Sequence, residues 1–350
     1  MYFASDNWAG AHPKIAQSLV GQASGFAPAY GTSDLDRKVE EKFCEIFGRE
    51  VSVFFVATGT AANSLALTSV SRPGGVAFCH RESHVVEDEG GAPEYLSGGM
   101  RLHAVEGTLG RINPNDLLAK MAHFDPKFVH SGQPVAVSIT QSTEIGTVYS
   151  LDQIEAIGAI CKEKNLPLHM DGARFANALV SLDTTPAEMT WKRGVDFVSF
   201  GGTKNGCWCA EAIVVLDPGR AKEMPFIRKR AAQLFSKSRF IAAQFDAYFA
   251  DDLWLETARH ANAMAARLAG HMERSPKMRL AWKPEANEVF ALMSSTAAET
   301  LQQKGVKFHE WKLPAGFSAA GVETGEKLWR FVTSFATTEG EIEAFGNLAG

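Results

Sequence analysis

LPLHMDGARFANAL at 166–179 and VDFVSFGGTKNG at 195–206 are the two stretches whose reading decides the fold. Each starts as a short apolar run and then turns polar, the first at Asp171-Gly172-Ala173-Arg174, the second at Gly201-Gly202-Thr203-Lys204. A run that stays apolar on consecutive residues predicts a strand covered on both faces, as in a parallel sheet flanked by helices. Open sheets of that kind place ligands at the carboxyl ends of their strands, where these two polar turns fall.

The same pattern continues outward in both directions. VSVFFVA (51–57), GVAFC (75–79), MRLHAV (100–105), PVAVSIT (134–140) and EAIVVL (211–216) are further strand candidates. Between them AANSLALTSV (61–70) and LDQIEAIGAICKEKN (151–165) have helical character, the second with apolar residues at Leu151, Ile154, Ile157 and Ile160. Pro218-Gly219 punctuates the chain, and a long helical region is expected through Ala269. MRLAW, EVFALM, VKFH and LWRFVTS then predict the short strands of a second unit. The expected fold class is α/β, with a mostly parallel seven-stranded sheet and a smaller C-terminal α+β domain. The expected division is an N-terminal arm and large domain over 1–245 and a small domain over 246–350.

Composition narrows the function. In 350 residues, 45% are apolar and 21% charged, an ordinary globular balance. A net charge of −5 gives no general pull toward nucleic acid. No apolar run approaches the roughly 18 residues a bilayer requires, and MYFASDNWAG has no secretory pattern, so a cytoplasmic protein without a membrane partner is expected. Five scattered cysteines, an odd number, fit free thiols in a reducing compartment. Neither G-x-G-x-x-G nor G-x-x-x-x-G-K-[ST] occurs. His80 and His84 in HRESH have i, i+4 spacing but no third ligand, and no metal is expected.

Chemistry concentrates at three strand ends. Asp171 follows the 166–170 run, Lys204 follows 195–200, and Thr58-Gly59-Thr60 follows 51–57 and opens a helix. A helix N-terminus offers free N–H groups and a favourable dipole to phosphate, although this segment taken alone reads first as a plain cap by Thr58 or Thr60. An acid, a lysine and a phosphate cradle on one sheet are what pyridoxal 5′-phosphate requires. The lysine meets its aldehyde, the carboxylate keeps the pyridine nitrogen protonated, and the helix end neutralises the phosphate.

FFVATGTAANSLAL, SHVVEDEGGAPE, ITQSTEIGTVY, LHMDGARFANAL and SFGGTKNG together resemble the low-specificity L-threonine aldolases, pyridoxal-phosphate enzymes of fold type I. The resemblance implies cleavage of L-threonine or L-allo-threonine to glycine and acetaldehyde. Another fold-type-I enzyme (a phenylserine aldolase, a β-eliminating lyase or an aminotransferase) is the alternative. It implies that Lys204 joins the cofactor aldehyde, Asp171 pairs with the pyridinium nitrogen and Arg174 lies on the 3′-hydroxyl side. Thr58, Gly59 and Thr60 would bind phosphate. His84 would stack on the ring, and His130 would approach the substrate hydroxyl. Ser5 and Arg330 would hold the substrate carboxylate, with Glu89 nearby. Arg239 and Tyr30 would reach the site of a neighbouring subunit in a homodimer or homotetramer. Asp88 stands where the family often has an aromatic residue.

Overall fold

The structure, a computed structural model, describes residues 1–125, 127–317 and 321–350. Its larger sheet contains β1 (Ser52–Val56), β2 (Gly75–His80), β3 (Arg101–Val105), β4 (Gln133–Thr140), β5 (Leu168–Gly172), β6 (Phe197–Gly201) and β7 (Glu211–Val215). They lie in the order β1-β7-β6-β5-β4-β2-β3. From β6 to β3 every pairing is parallel, whereas β7 runs antiparallel to both β1 and β6. Strands β2, β5, β6 and β7 are buried along their whole length, which is why they read as continuous apolar runs.

Helices cover both faces. The Gly59–Val70 helix starts on the Thr58 cap and buries every residue from Ala61 to Leu67, because it lies between the sheet and outer helices. The Leu151–Glu163 helix starts on a reciprocal cap between Ser150 and Gln153 and buries Ile154, Ile157 and Cys161. The helical region expected after Pro218 is three helices, Met224–Arg230, Arg239–Phe249 and Leu253–Glu273. Asp251 and Asp252, at φ of 53° and 55°, break the last junction, since left-handed residues cannot continue a right-handed helix.

The second sheet is antiparallel, with β8 (Met278–Leu280), β9 (Glu288–Ser294), β10 (His309–Trp311) and β11 (Glu326–Val332) in the order β10-β11-β9-β8. Its edge strand β10 begins where the expected VKFH strand ends. The N-terminal arm engages that earlier segment: Lys307 N–H donates to Met1 O at 3.0 Å, and Phe3 N–H donates to Lys307 O at 2.8 Å. Phe3 is fully buried and packs edge-on against Phe345 at 5.9 Å. The arm therefore begins in the core of the C-terminal unit before crossing to the larger sheet. No described helix is long and apolar enough to cross a membrane.

Candidate active site

The carboxyl ends of β1, β4, β5 and β6 open into a cavity of about 460 Å³ that also touches Ser5, Trp311 and Arg330. Asp171 is the penultimate residue of β5 and is held from two sides. Its Oδ1 accepts the Ala173 N–H at 2.9 Å, and its Oδ2 accepts the Asn63 Nδ2 at 2.7 Å. The same Asn63 nitrogen donates to Glu89 Oε1 at 2.8 Å, and that oxygen meets His84 Nδ1 at 2.9 Å. One amide with two hydrogens thus ties two buried carboxyls together. Donation from the His84 ring to Glu89 raises the His84 pKa above its ordinary value.

His84 opens the His84–Glu87 turn of helix, where Ser83 makes no side-chain cap. Glu144 Oε1 takes the His84 N–H instead, at 2.7 Å, and accepts the Thr140 hydroxyl at 2.9 Å. Burial pushes the Glu144 carboxyl up to about 7. Lys204 sits on a single 3-10 turn, Thr203–Asn205, anchored by Asn205 Nδ2 donating to Tyr248 Oη at 2.7 Å and Trp254 O at 2.8 Å. Thr58 Oγ1 accepts the Ala61 N–H at 3.1 Å as the helix cap, and Thr58, Gly59 and Thr60 all line the cavity.

Two arginines mark the side facing the second sheet. Arg174 donates to Asp6 through Nε at 2.8 Å and Nη2 at 3.1 Å, and its Nη1 lies 3.2 Å from Glu288. It does not pair with Asp171. Arg330 stacks on Trp311 at 4.1 Å, donates to Ala4 O at 3.4 Å, and keeps a buried Nε without a partner. Ser5 lines the cavity, although its Oγ also accepts the Asn7 N–H at 3.1 Å.

The cavity brings together Lys204, Asp171, Arg174, His84, Thr58, Gly59, Thr60, Ser5 and Arg330. It does not include four other expected residues. His130 is exposed against Phe128, ahead of the first residue of β4, Gln133. The strand runs from there toward the cavity, so the expectation that His130 meets the substrate is corrected: it stands at the opposite end of the sheet. Glu89 does not line the cavity but hydrogen-bonds two residues that do, His84 and Asn63. Arg239 donates to Gly25 O at 3.3 Å, and Tyr30 is half exposed under Lys229. His80 ends β2 whereas His84 begins a helix, so the HRESH pair does not share a helix face. Among the described residues no group of three acidic, His or Cys side chains could hold a metal.

Residues 2–296 match the beta-eliminating lyase family. The chain belongs to that family. Over 307 residues this member is 40% identical to the low specificity L-threonine aldolase of Pseudomonas sp. (strain NCIMB 10558), covering 88% of each chain. The Pseudomonas aeruginosa low specificity L-threonine aldolase is likewise 40% identical over 310 residues. The solved structure of Leishmania major threonine aldolase superposes with a TM-score of 0.91 at 28% identity, over 99% of this chain and 98% of that one. The fold is pyridoxal-phosphate fold type I, and the family is one of lyases.

Several site residues carried no role in the sequence reading. Glu144 lies inside ITQSTEIGTVY and Asp6 adjoins Ser5, so both were within reach. Glu288 opens the apolar run EVFALM, and an acid at the head of a buried strand is itself a signal. Asn63, inside a helix of small and apolar residues, was another.

Proposed function

We propose that this lyase uses pyridoxal 5′-phosphate to cleave L-threonine or L-allo-threonine, and related β-hydroxy-α-amino acids, to glycine and an aldehyde. The observation that carries this reading is the meeting of Lys204, Asp171 and the Gly59–Val70 helix N-terminus in one cavity. The similarity to L-threonine aldolases along 88% of the chain supports the choice of substrate.

The donor set fits the cofactor. Asp171 has its two oxygens fixed by Ala173 and Asn63, which orients a carboxylate toward a pyridinium nitrogen. Gly59 and Thr60 offer helix N-terminal N–H groups to phosphate. Lys204 is the amine for the aldehyde, and Arg174 is the cation nearest Asp6 on the arm side. When bound, pyridoxal phosphate supplies an electron sink for the carbon–carbon bond that breaks.

The chain's own residues do the positioning and the proton transfer. Arg330, over the Trp311 ring with its Nε unpaired, would hold the substrate carboxylate with Ser5. His84 has Nδ1 engaged by Glu89, so Nε2 is the ring nitrogen left to take the proton of the β-hydroxyl as the aldehyde carbonyl forms, and glycine is completed by a proton delivered to its α-carbon. A homodimer or homotetramer with shared sites is part of the reading, since Tyr30, which is exposed, and Arg239, which donates to Gly25 O, do not line the cavity of their own chain. Five free cysteines support a cytoplasmic location.

The test is product analysis with purified protein. Glycine and acetaldehyde from L-threonine and L-allo-threonine are expected, together with a visible absorption band that Lys204→Ala abolishes along with nearly all turnover. Ammonia or a keto acid as the product would replace this reading with an eliminating or transaminating one. An unchanged band in Lys204→Ala would remove that residue from its role.

A further inference from the structure

Glu211 is a buried acid in the cavity that the proposed reaction leaves unused. Because β7 is antiparallel to its neighbours, its first residue stands beside their last ones: Glu211 is in register with Val56 of β1 and Gly201 of β6. Val56 leads into Thr58-Gly59-Thr60, and Gly201 leads into Lys204. Adjacent strands are about 4.8 Å apart. Glu211 is thus one strand from β1, which feeds the phosphate cradle, whereas Asp171 on β5 is three strands away in the sheet order.

Its surroundings suit a neutral acid. Glu211 is 6% exposed and lines the cavity with Thr58, Gly59 and Thr60. Its Oε1 accepts the Thr203 N–H at 3.3 Å, and among the described residues no cation comes within ion-pair distance. Asp171, by contrast, receives two donors, one on each oxygen. Burial pushes the Glu211 carboxyl up to about 7, against the Thr203 hydrogen bonds and the Lys204 charge, which pull it down, while Asp171 adds to the rise. A second anion next to a phosphate dianion is unfavourable, while a protonated carboxyl makes a short, strong hydrogen bond to it.

We propose that Glu211 is a proton-carrying part of the phosphate subsite: with the cofactor seated, its carboxyl keeps its proton, stays neutral and donates a hydrogen bond through its O–H to a phosphate oxygen. The proton comes from solvent when the carboxylate form binds the cofactor, so uptake on binding approaches one proton per site above the Glu211 pKa and vanishes below it. This rests on the pyridoxal-phosphate reading above. It follows that phosphate-dependent affinity is constant below the Glu211 pKa and falls as pH rises through it, by up to about tenfold per unit. The other groups around Glu211 are Lys204 on its turn, Asp171 on β5, Cys207 and Cys209 on the preceding loop, and Tyr248 on the Arg239–Phe249 helix. Burial raises both thiols and the Tyr248 phenol, so they stay neutral over most of that range. β1, β6 and the Gly59–Val70 helix bring no charged side chain, and Arg228, against Phe54, remains a cation throughout.

The experiment compares pyridoxal phosphate with pyridoxal, each titrated into the cofactor-depleted full-length protein between pH 7 and 9. Both carry the aldehyde, so the Lys204 and Asp171 contributions cancel in the ratio of their affinities. The expected ratio, pyridoxal phosphate over pyridoxal, falls at least tenfold across that range. In Glu211→Gln, whose amide donates at every pH, it stays flat while pyridoxal affinity is retained. A flat ratio in the wild-type protein, or a wild-type slope in Glu211→Gln, would overturn the proposal and leave the cofactor reading standing. Failure of pyridoxal phosphate to bind at any pH would overturn both.

Discussion

At the scale of single residues, His84 is fixed by two acids that act on different parts of it. Glu144 holds its backbone N–H at 2.7 Å, and Glu89 holds ring Nδ1 at 2.9 Å. The second contact raises the imidazole pKa, so the neutral ring that can accept a proton is reached only at higher pH than for a free histidine. The acid limb of kcat/KM should therefore rise through the raised value. In Glu89→Gln the carboxylate is gone, and the midpoint should move down toward the ordinary histidine value of about 6.5. The variant should also lose part of the roughly 10² to 10⁴-fold that a positioned base contributes, because the ring is less well oriented. pH–rate profiles of the two proteins check this. An acid limb that does not move would exclude the His84–Glu89 pair as the titrating group.

At the scale of elements, the strand ends carry the site, and the sequence announced them through apolar runs stopped by polar turns. All seven strands of the large sheet lie within a residue or two of their expected positions; for β2, β5, β6 and β7 the reason is burial on both faces, which leaves a composition that no surface loop shares. His130 was misplaced for a related reason: adjacency to the run at 134–140 says nothing about which end of the strand faces the cavity. The VKFH strand shifted because its partner, the arm, lies some 300 positions earlier in the chain, a separation that local pattern cannot convey. The Gly59–Val70 helix illustrates what stays hidden. Asn63 reads as an indifferent polar residue, yet it reaches sideways to Glu89 and Asp171, which come from two other elements. Asn63→Ala should leave both buried carboxyls short of a donor and lower stability by about 1–3 kcal/mol. Chemical denaturation checks that loss, and a midpoint equal to wild type would mean that water replaces the amide without cost.

At the scale of the whole molecule, the two sheets meet through a chain of buried charges rather than through apolar packing alone. Asp6 on the arm pairs with Arg174 after β5, Arg174 also reaches Glu288 on β9, and Glu288 lies 3.7 Å from Arg330 on β11. Arm, large sheet and small sheet each supply a member, and the cavity lies where they join. Burial by itself would raise the Asp6 pKa, but the charges of Arg174 and Lys204 outweigh it and hold the carboxyl below its ordinary value. A depressed carboxyl pKa contributes stability that is present above the unfolded-state value and is lost as pH falls through the folded one. Removing one partner of a buried pair costs about 3–5 kcal/mol, since the other charge is left without compensation. Asp6→Asn should therefore be destabilised by that order at pH 7, and the difference from wild type should shrink below the ordinary carboxyl pKa of about 3.9. Denaturation midpoints of both proteins from pH 7 down to pH 3 measure it. A gap of constant size over that range would show that the Asp6 charge does not hold the arm in place.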